Sequence, residues 1–76
     1  MKTVNIMLST INDVKIFVNT VAKYDFDVDI VSGRYAVDAK SIMGIFSLDL
    51  SKKIELQAHT EDASAFFGEI KAFIID

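Results

Sequence analysis

The sequence predicts an α+β domain in which helices cover one face of a four-stranded antiparallel sheet. Four segments alternate apolar and polar residues with the period of a strand, and two longer segments repeat apolar residues with the period of a helix. Along the 76 residues, with one short segment between the last two strands, the element order is βαββαβα. No linker, repeat or low-complexity segment interrupts residues 1–76, so we predict a single domain.

The first strand and the first helix are predicted from a change of period. The strand is expected in "VNIML" (4–8), ending near Ser9, with an apolar face made of Val4, Ile6 and Leu8. A helix over 11–22 follows, since one face would carry Ile11, Val14, Phe17, Val18, Val21 and Ala22. Ser9 or Thr10 can cap it, and Asp13 stands three residues after Thr10 as in a capping box.

The middle of the chain predicts a hairpin. "YDFDVDIV" (24–31) reads as a half-buried strand, with Phe26, Val28 and Ile30 on one face and Asp25, Asp27 and Asp29 on the other. "SGR" (32–34) predicts the turn, because Gly33 can take a positive φ. A return strand would then contain Tyr35 and Val37.

The last strand and helix follow the loop "SKK" (51–53). In "KIELQA" (53–58) the apolar positions that share one face are Ile54, Leu56 and Ala58. A helix over 62–74 is predicted from the spacing of Ala63, Phe66, Phe67, Ile70, Phe73 and Ile74. Thr60 or Asp62 is the expected cap, with acidic residues in the first turn.

The segment "DAKSIMGIFSL" (38–48) is too short for more than about two helical turns, with Ser41 as its expected N-cap. Its apolar residues point in several directions: Ile45 and Leu48 share one side, while Ile42, Met43 and Phe46 spread over the other. Two interpretations remain open. Either all five belong to the core, or part of the set stays exposed and docks a partner.

Composition excludes several classes of function. The chain has no cysteine, so it forms no disulfide or thiolate metal site, and its net charge of −3 argues against nucleic acid as a partner. No apolar run approaches the ~20 residues that span a bilayer, and the first residues do not resemble a signal peptide. The Asp25, Asp27 and Asp29 row does not converge as calcium ligands do. We therefore expect a soluble cytoplasmic protein without metal, cofactor or membrane contact.

Residues 20–50, "TVAKYDFDVDIVSGRYAVDAKSIMGIFSLDL", resemble the central half of the HPr proteins of the bacterial phosphoenolpyruvate:sugar phosphotransferase system. In that family the motif K-S-I-M-G-x-x-S-L carries a regulatory serine, and "KSIMGIFSL" (40–48) matches it throughout. Residues 1–19 and 57–76 match only in pattern. The resemblance implies an open-faced β-sandwich and a protein that is not itself an enzyme.

The resemblance also implies partners. Ser41 would be phosphorylated by HPr kinase/phosphorylase, and the docking surface would consist of Lys40, Ile42, Met43 and Phe46. That surface would contact the kinase, enzyme I or sugar-specific components of the system, and the transcriptional regulator of carbon catabolite repression. We expect a monomer or a weak homodimer. Lys40, with Lys52 and Lys53, could attract an acidic or phosphorylated partner, although loop lysines are usually only solvated.

One departure from the family is large. HPr proteins carry phosphate on a histidine in G-[IL]-H-x-R-P, whereas "LSTINDVK" (8–15) has no histidine, arginine or proline. Thr10 falls at the histidine position and Asn12 at the arginine position. A threonine hydroxyl needs an activating base, and Asp13 would repel a phosphoryl group by about 4 kcal/mol at ~4 Å and an effective dielectric near 20. The pattern resembles HPr paralogues that lost the histidine and kept the serine.

The sequence thus predicts a regulatory protein switched by phosphate on Ser41, and two alternatives stay open. The first is a phosphoryl carrier with a relocated nucleophile, either Thr10 or His59, the sole histidine, which is expected at the end of the last strand. His59 lacks the helix terminus and the arginine of the family site. The second alternative is an interaction module that is never phosphorylated.

Overall fold

The computed structural model describes residues 1–76 and contains one four-stranded sheet. The predicted order of elements is confirmed, with one added 3₁₀ turn: β1 (Lys2–Ile6), α1 (Ile11–Val21), β2 (Val28–Ser32), β3 (Tyr35–Asp38), α2 (Ile42–Phe46), β4 (Ile54–Ala58), α3 (Ser64–Glu69) and the 3₁₀ turn (Lys71–Phe73). None of these helices has the length and apolarity needed to cross a bilayer.

The sheet is antiparallel throughout, with the strand order β1-β4-β2-β3. Leu56 of β4 pairs with Val4 on one side and with Ile30 on the other, so apolar residues of three strands share a face. The helices close this face with buried side chains, among them Val14, Phe17, Val21, Ile45, Phe66 and Ile70. Alternation therefore predicted the core face of the sheet correctly.

The cap of α1 is as predicted. The amide N–H of Asp13 donates to Thr10 Oγ1 at 3.0 Å, and the Asp13 carboxylate accepts from the Ser9 amide at 3.1 Å. The assignment of Ile11 and Ala22 to the buried face is wrong, since both are exposed. They lie at the two ends of the helical segment, beyond the stretch from Val14 to Val21 that packs on the sheet.

The segment before β2 does not follow the predicted strand. Residues 24–27 lie outside β2, because the amides of Lys23 and Tyr24 still bond to carbonyls of α1, each at 3.1 Å. The turn brings Tyr24 and Phe26 against Phe66, with ring centroids 5.1 and 5.7 Å apart. Of the three aspartates predicted on a strand face, only Asp29 lies on a strand.

The hairpin turn is confirmed. Ser32 pairs with Tyr35, which leaves Gly33 and Arg34 as the two-residue loop. Gly33 has a φ of 60°, and it is the one residue of the chain with a positive φ. A residue with a Cβ would be strained there, so glycine fixes the register of β2 and β3.

The C-terminal helix is shorter than predicted, because the chain leaves it to cover a sheet edge. After the 3₁₀ turn, Ile74 bridges to Ile6. The amide of Ile75 donates to the Asn5 carbonyl at 2.9 Å, and the Asn5 amide donates to the carbonyl of Asp76 at 3.0 Å. These bonds pair the otherwise open edge of β1.

The predicted cap of this helix is partly wrong. The N-cap position is Ala63, Thr60 makes no capping bond, and no acidic residue lies in the first turn. Asp62 precedes the cap and accepts from the side chain and the amide of Ser64 at 2.6 and 3.0 Å. These two bonds lower the pKa of Asp62 below its usual value.

Candidate functional site

Ser41 begins α2 and its side chain caps that helix. Ser41 has extended backbone angles, and its Oγ accepts from the Gly44 amide at 3.1 Å. Asp38 fixes the preceding turn, since it accepts from the Lys40 amide at 2.8 Å through its carboxylate and from the Ser41 amide at 3.0 Å through its carbonyl. The capping bond holds the hydroxyl in place. Because Ser41 is exposed, the hydroxyl also remains accessible.

The five apolar residues of this segment divide between core and surface. Ile45 is fully buried, and Ile42 and Leu48 are half-buried against the core. Met43 is 76% exposed and Phe46 is 39% exposed. Part of the apolar set therefore stays outside, and the interpretation that all five belong to the core is wrong. We call Met43 and Phe46 the α2 patch.

Two of the residues expected to dock a partner, Ile42 and Lys40, lie outside the α2 patch. Ile42 packs partly against the core, so less of it is available to a partner than the sequence suggested. Lys40 is exposed, and its side chain forms none of the ion pairs of the structure. It therefore leaves a free positive charge next to Ser41.

Sequence reasoning missed further exposed apolar residues on α1, which packs against α2. Ile11 is 64% exposed and Ile16 is 47% exposed. Ile16 lies outside the helical stripe formed by Val14, Phe17 and Val21. This spacing alone would have indicated from the sequence that Ile16 is exposed.

The start of α1, where the family carries its histidine, is occupied by a closed capping arrangement. Thr10 Oγ1 accepts from the Asp13 amide, and the Asp13 carboxylate is turned back onto the Ser9 amide. The Asp13 carboxylate therefore already accepts a hydrogen bond from a backbone amide at this helix terminus. Such amides would otherwise stabilise a phosphoryl group.

His59 lies just after β4, as predicted, and is exposed. Its Nε2 is 2.8 Å from Asp29 Oδ2, and its amide donates to the Asp27 carbonyl at 2.8 Å. His59 follows the end of β4 where Ala58 pairs with Lys2, whereas Thr10 follows the opposite end of β1. The two candidates for a relocated nucleophile thus lie at opposite ends of the sheet and do not form one site.

Comparison with known proteins gives one family. The model of the family described as the PTS HPr component phosphorylation site matches residues 13–76. The matched region contains Ser41 and the α2 patch, and it starts three residues after Thr10. No curated protein matches the chain.

Solved structures share the fold. HPr-C-His from Thermoanaerobacter tengcongensis is 28% identical, with a TM-score of 0.79 over 95% of this chain and 89% of that one. The phosphocarrier protein HPr from Bacillus anthracis is 23% identical, with a TM-score of 0.72 over 97% and 96% of the two chains. A Mycoplasma histidine-containing phosphocarrier protein is 17% identical, with a TM-score of 0.75 over 93% and 89%. The predicted α+β open-faced sandwich is thereby confirmed.

Proposed function

The chain belongs to the HPr family of the phosphotransferase system, and from this premise we propose that it is a regulatory member phosphorylated on Ser41 instead of a histidine. HPr proteins are phosphocarriers and regulators, not enzymes. The observation that carries the proposal is the exposed Ser41 hydroxyl, which lies in the motif "KSIMGIFSL" beside the α2 patch. The setting is the cytoplasm, where the family's ATP-dependent kinase acts.

The chemistry is transfer of the γ-phosphoryl group of ATP to Ser41. The bond from Oγ to phosphorus forms as the bond to ADP breaks, and a base on the kinase takes the hydroxyl proton. Because Ser41 Oγ is the acceptor in its capping bond, its own proton is not needed for the cap. The product carries about −1.5 to −2 charges next to the first amides of α2, where negative charge is tolerated.

The regulatory effect follows from the position of the phosphate. Met43 lies two residues after Ser41 and is the most exposed of the large hydrophobic residues. A partner that covers Met43 therefore binds within one helical turn of the phosphate on Ser41. We propose that HPr kinase/phosphorylase and the catabolite-control regulator bind this surface, with enzyme I and sugar-specific components as further partners.

The proposal leaves no role for the ordinary phosphohistidine. Thr10 is engaged as a cap, Asp13 brings a negative charge to the same turn, and Asn12 cannot supply the bidentate contact of an arginine. The carrier with a relocated nucleophile is the alternative. Its best support is the contact of His59 with Asp29, which orients the ring.

The deciding experiment is intact mass after two parallel incubations. One contains HPr kinase/phosphorylase and ATP, and the other contains enzyme I and phosphoenolpyruvate. We expect one phosphate in the first and none in the second. Phosphate in the second would overturn the proposal in favour of a carrier, and phosphate in neither would favour an unmodified interaction module.

Gly44→Ala is expected to slow phosphorylation while the fold is retained. A Cβ at this position would lie 3.1 Å from Ser41 Oγ and 3.2 Å from the Cβ of Val37, tighter than ordinary contacts. The new methyl group would displace the Ser41 hydroxyl and crowd the phosphate. Initial rates with the kinase and ATP would measure the effect.

Gly68→Ala is the matched control for that variant. It is also a glycine of a short helix, but a Cβ there meets nothing within 4 Å. Equal phosphorylation rates in the two variants would show that room around Ser41 does not matter.

A further inference from the structure

A cleft of about 510 Å³ opens between the β2–β3 hairpin and the loop that connects α2 to β4. The hairpin contributes Arg34 and Ser32, and the connecting segment contributes Ser47, Lys52 and Lys53. Neither Ser41 nor a residue of the α2 patch lines it. Ser47 is the C-cap of α2, so the cleft adjoins the end of that helix opposite to Ser41.

The cleft is positively charged although the protein has a net charge of −3. Three of its nine lining residues are cations, and Asp49 is the single acid among them. The Asp49 carboxylate is already bound by the amide and the hydroxyl of Ser51 at 3.1 and 2.5 Å. Those bonds hold the pKa of Asp49 below its usual value, and the bond from the Ser51 hydroxyl has the larger effect. The carboxylate therefore stays ionised and turned toward Ser51.

The cations themselves are almost without partners. Arg34 and Lys52 form no ion pair, and Lys53 has a single exposed contact with Asp76 at 3.9 Å. Like charges that the fold brings together without counter-charges repel one another, and a bound anion relieves this repulsion.

We propose that this cleft binds the phosphate monoester of a small hydroxylated metabolite. The guanidinium of Arg34 suits two phosphate oxygens, and the ammonium groups of Lys52 and Lys53 supply further charge for a dianion. Serine hydroxyls at 32 and 47 suit the hydroxyl groups of the carbon skeleton. The volume leaves room for that skeleton in addition to the phosphate.

The test is a titration followed by the backbone amide NMR signals of the full chain at constant ionic strength. Glucose 6-phosphate is the probe, with inorganic phosphate, glucose and sodium chloride in parallel. We expect saturable shifts at Gly33, Arg34, Ser47 and Lys52 with the ester, weaker ones with inorganic phosphate and none with glucose. Equal shifts with inorganic phosphate would overturn the assignment to an ester. Shifts no larger than those with sodium chloride would overturn the site.

Charge variants locate the site. Arg34→Gln and Lys52→Gln are each expected to weaken the affinity for glucose 6-phosphate about fivefold, as for an exposed charge pair. Lys71→Gln removes the same charge from an exposed position that does not line the cleft, and it should leave the affinity unchanged. An equal loss in Lys71→Gln would mean general attraction of anions and would overturn the proposal. The test is independent of whether Ser41 is phosphorylated.

Discussion

Ser41→Ala is expected to abolish phosphorylation by HPr kinase/phosphorylase and ATP, because it removes the proposed acceptor. The same change removes the cap of α2, in which Ser41 Oγ accepts from the Gly44 amide. Loss of an N-cap costs about 1 kcal/mol of the free energy of unfolding. Intact mass measures the phosphorylation, and urea denaturation measures the stability.

Two further variants separate loss of the acceptor from loss of the cap. Ser41→Asn keeps a capping side chain and should be as stable as the wild type, yet take no phosphate. Ser47→Ala removes the other serine of the motif, whose hydroxyl donates to the Gly44 carbonyl at 2.6 Å, and it should be phosphorylated normally. Phosphate on Ser41→Ala, or its loss in Ser47→Ala alone, would contradict the assignment of Ser41.

The parts of the fold that the sequence predicted correctly are those set by local rules. Alternation in β4 fixed which side chains face the core, since successive residues of a strand point to opposite sides. Gly33 marked the hairpin because its positive φ is strained for residues that carry a Cβ. The cap by Ser41 was predictable because donor and acceptor are three residues apart.

The errors arose where distant contacts override the local pattern. Residues 24–27 alternate like a strand, but the backbone there completes the turn after α1 and packs Tyr24 on Phe66. Helical spacing continues to Ile74, yet the edge of β1 draws that residue out of the helix. The basic cleft had only a partial local signal, the adjacent Lys52 and Lys53, because Arg34 is distant in sequence and joins them only through the fold.

Phe17→Ala is expected to destabilise the whole domain, whereas Phe46→Ala should impair docking and leave the fold intact. Phe17 is fully buried in α1, and its ring packs edge-on to that of Phe73 with centroids 6.3 Å apart. Truncation of a buried phenylalanine costs about 3–5 kcal/mol. The total stability of a 76-residue domain is about 4–11 kcal/mol, so this loss removes a large share of it, and urea denaturation should show a midpoint at a much lower urea concentration than for the wild type.

Phe46 tests the α2 patch with the same chemical change. Because Phe46 is 39% exposed and does not belong to the buried core, its truncation should cost less than that of Phe17. Truncation of an aromatic hot spot at an interface costs about 2 kcal/mol or more, so the kcat/KM of the kinase toward Phe46→Ala should fall about thirtyfold or more. Unchanged kcat/KM with a stable fold would show that the kinase does not use this surface. A fall in stability like that of Phe17→Ala would instead mean that Phe46 belongs to the core.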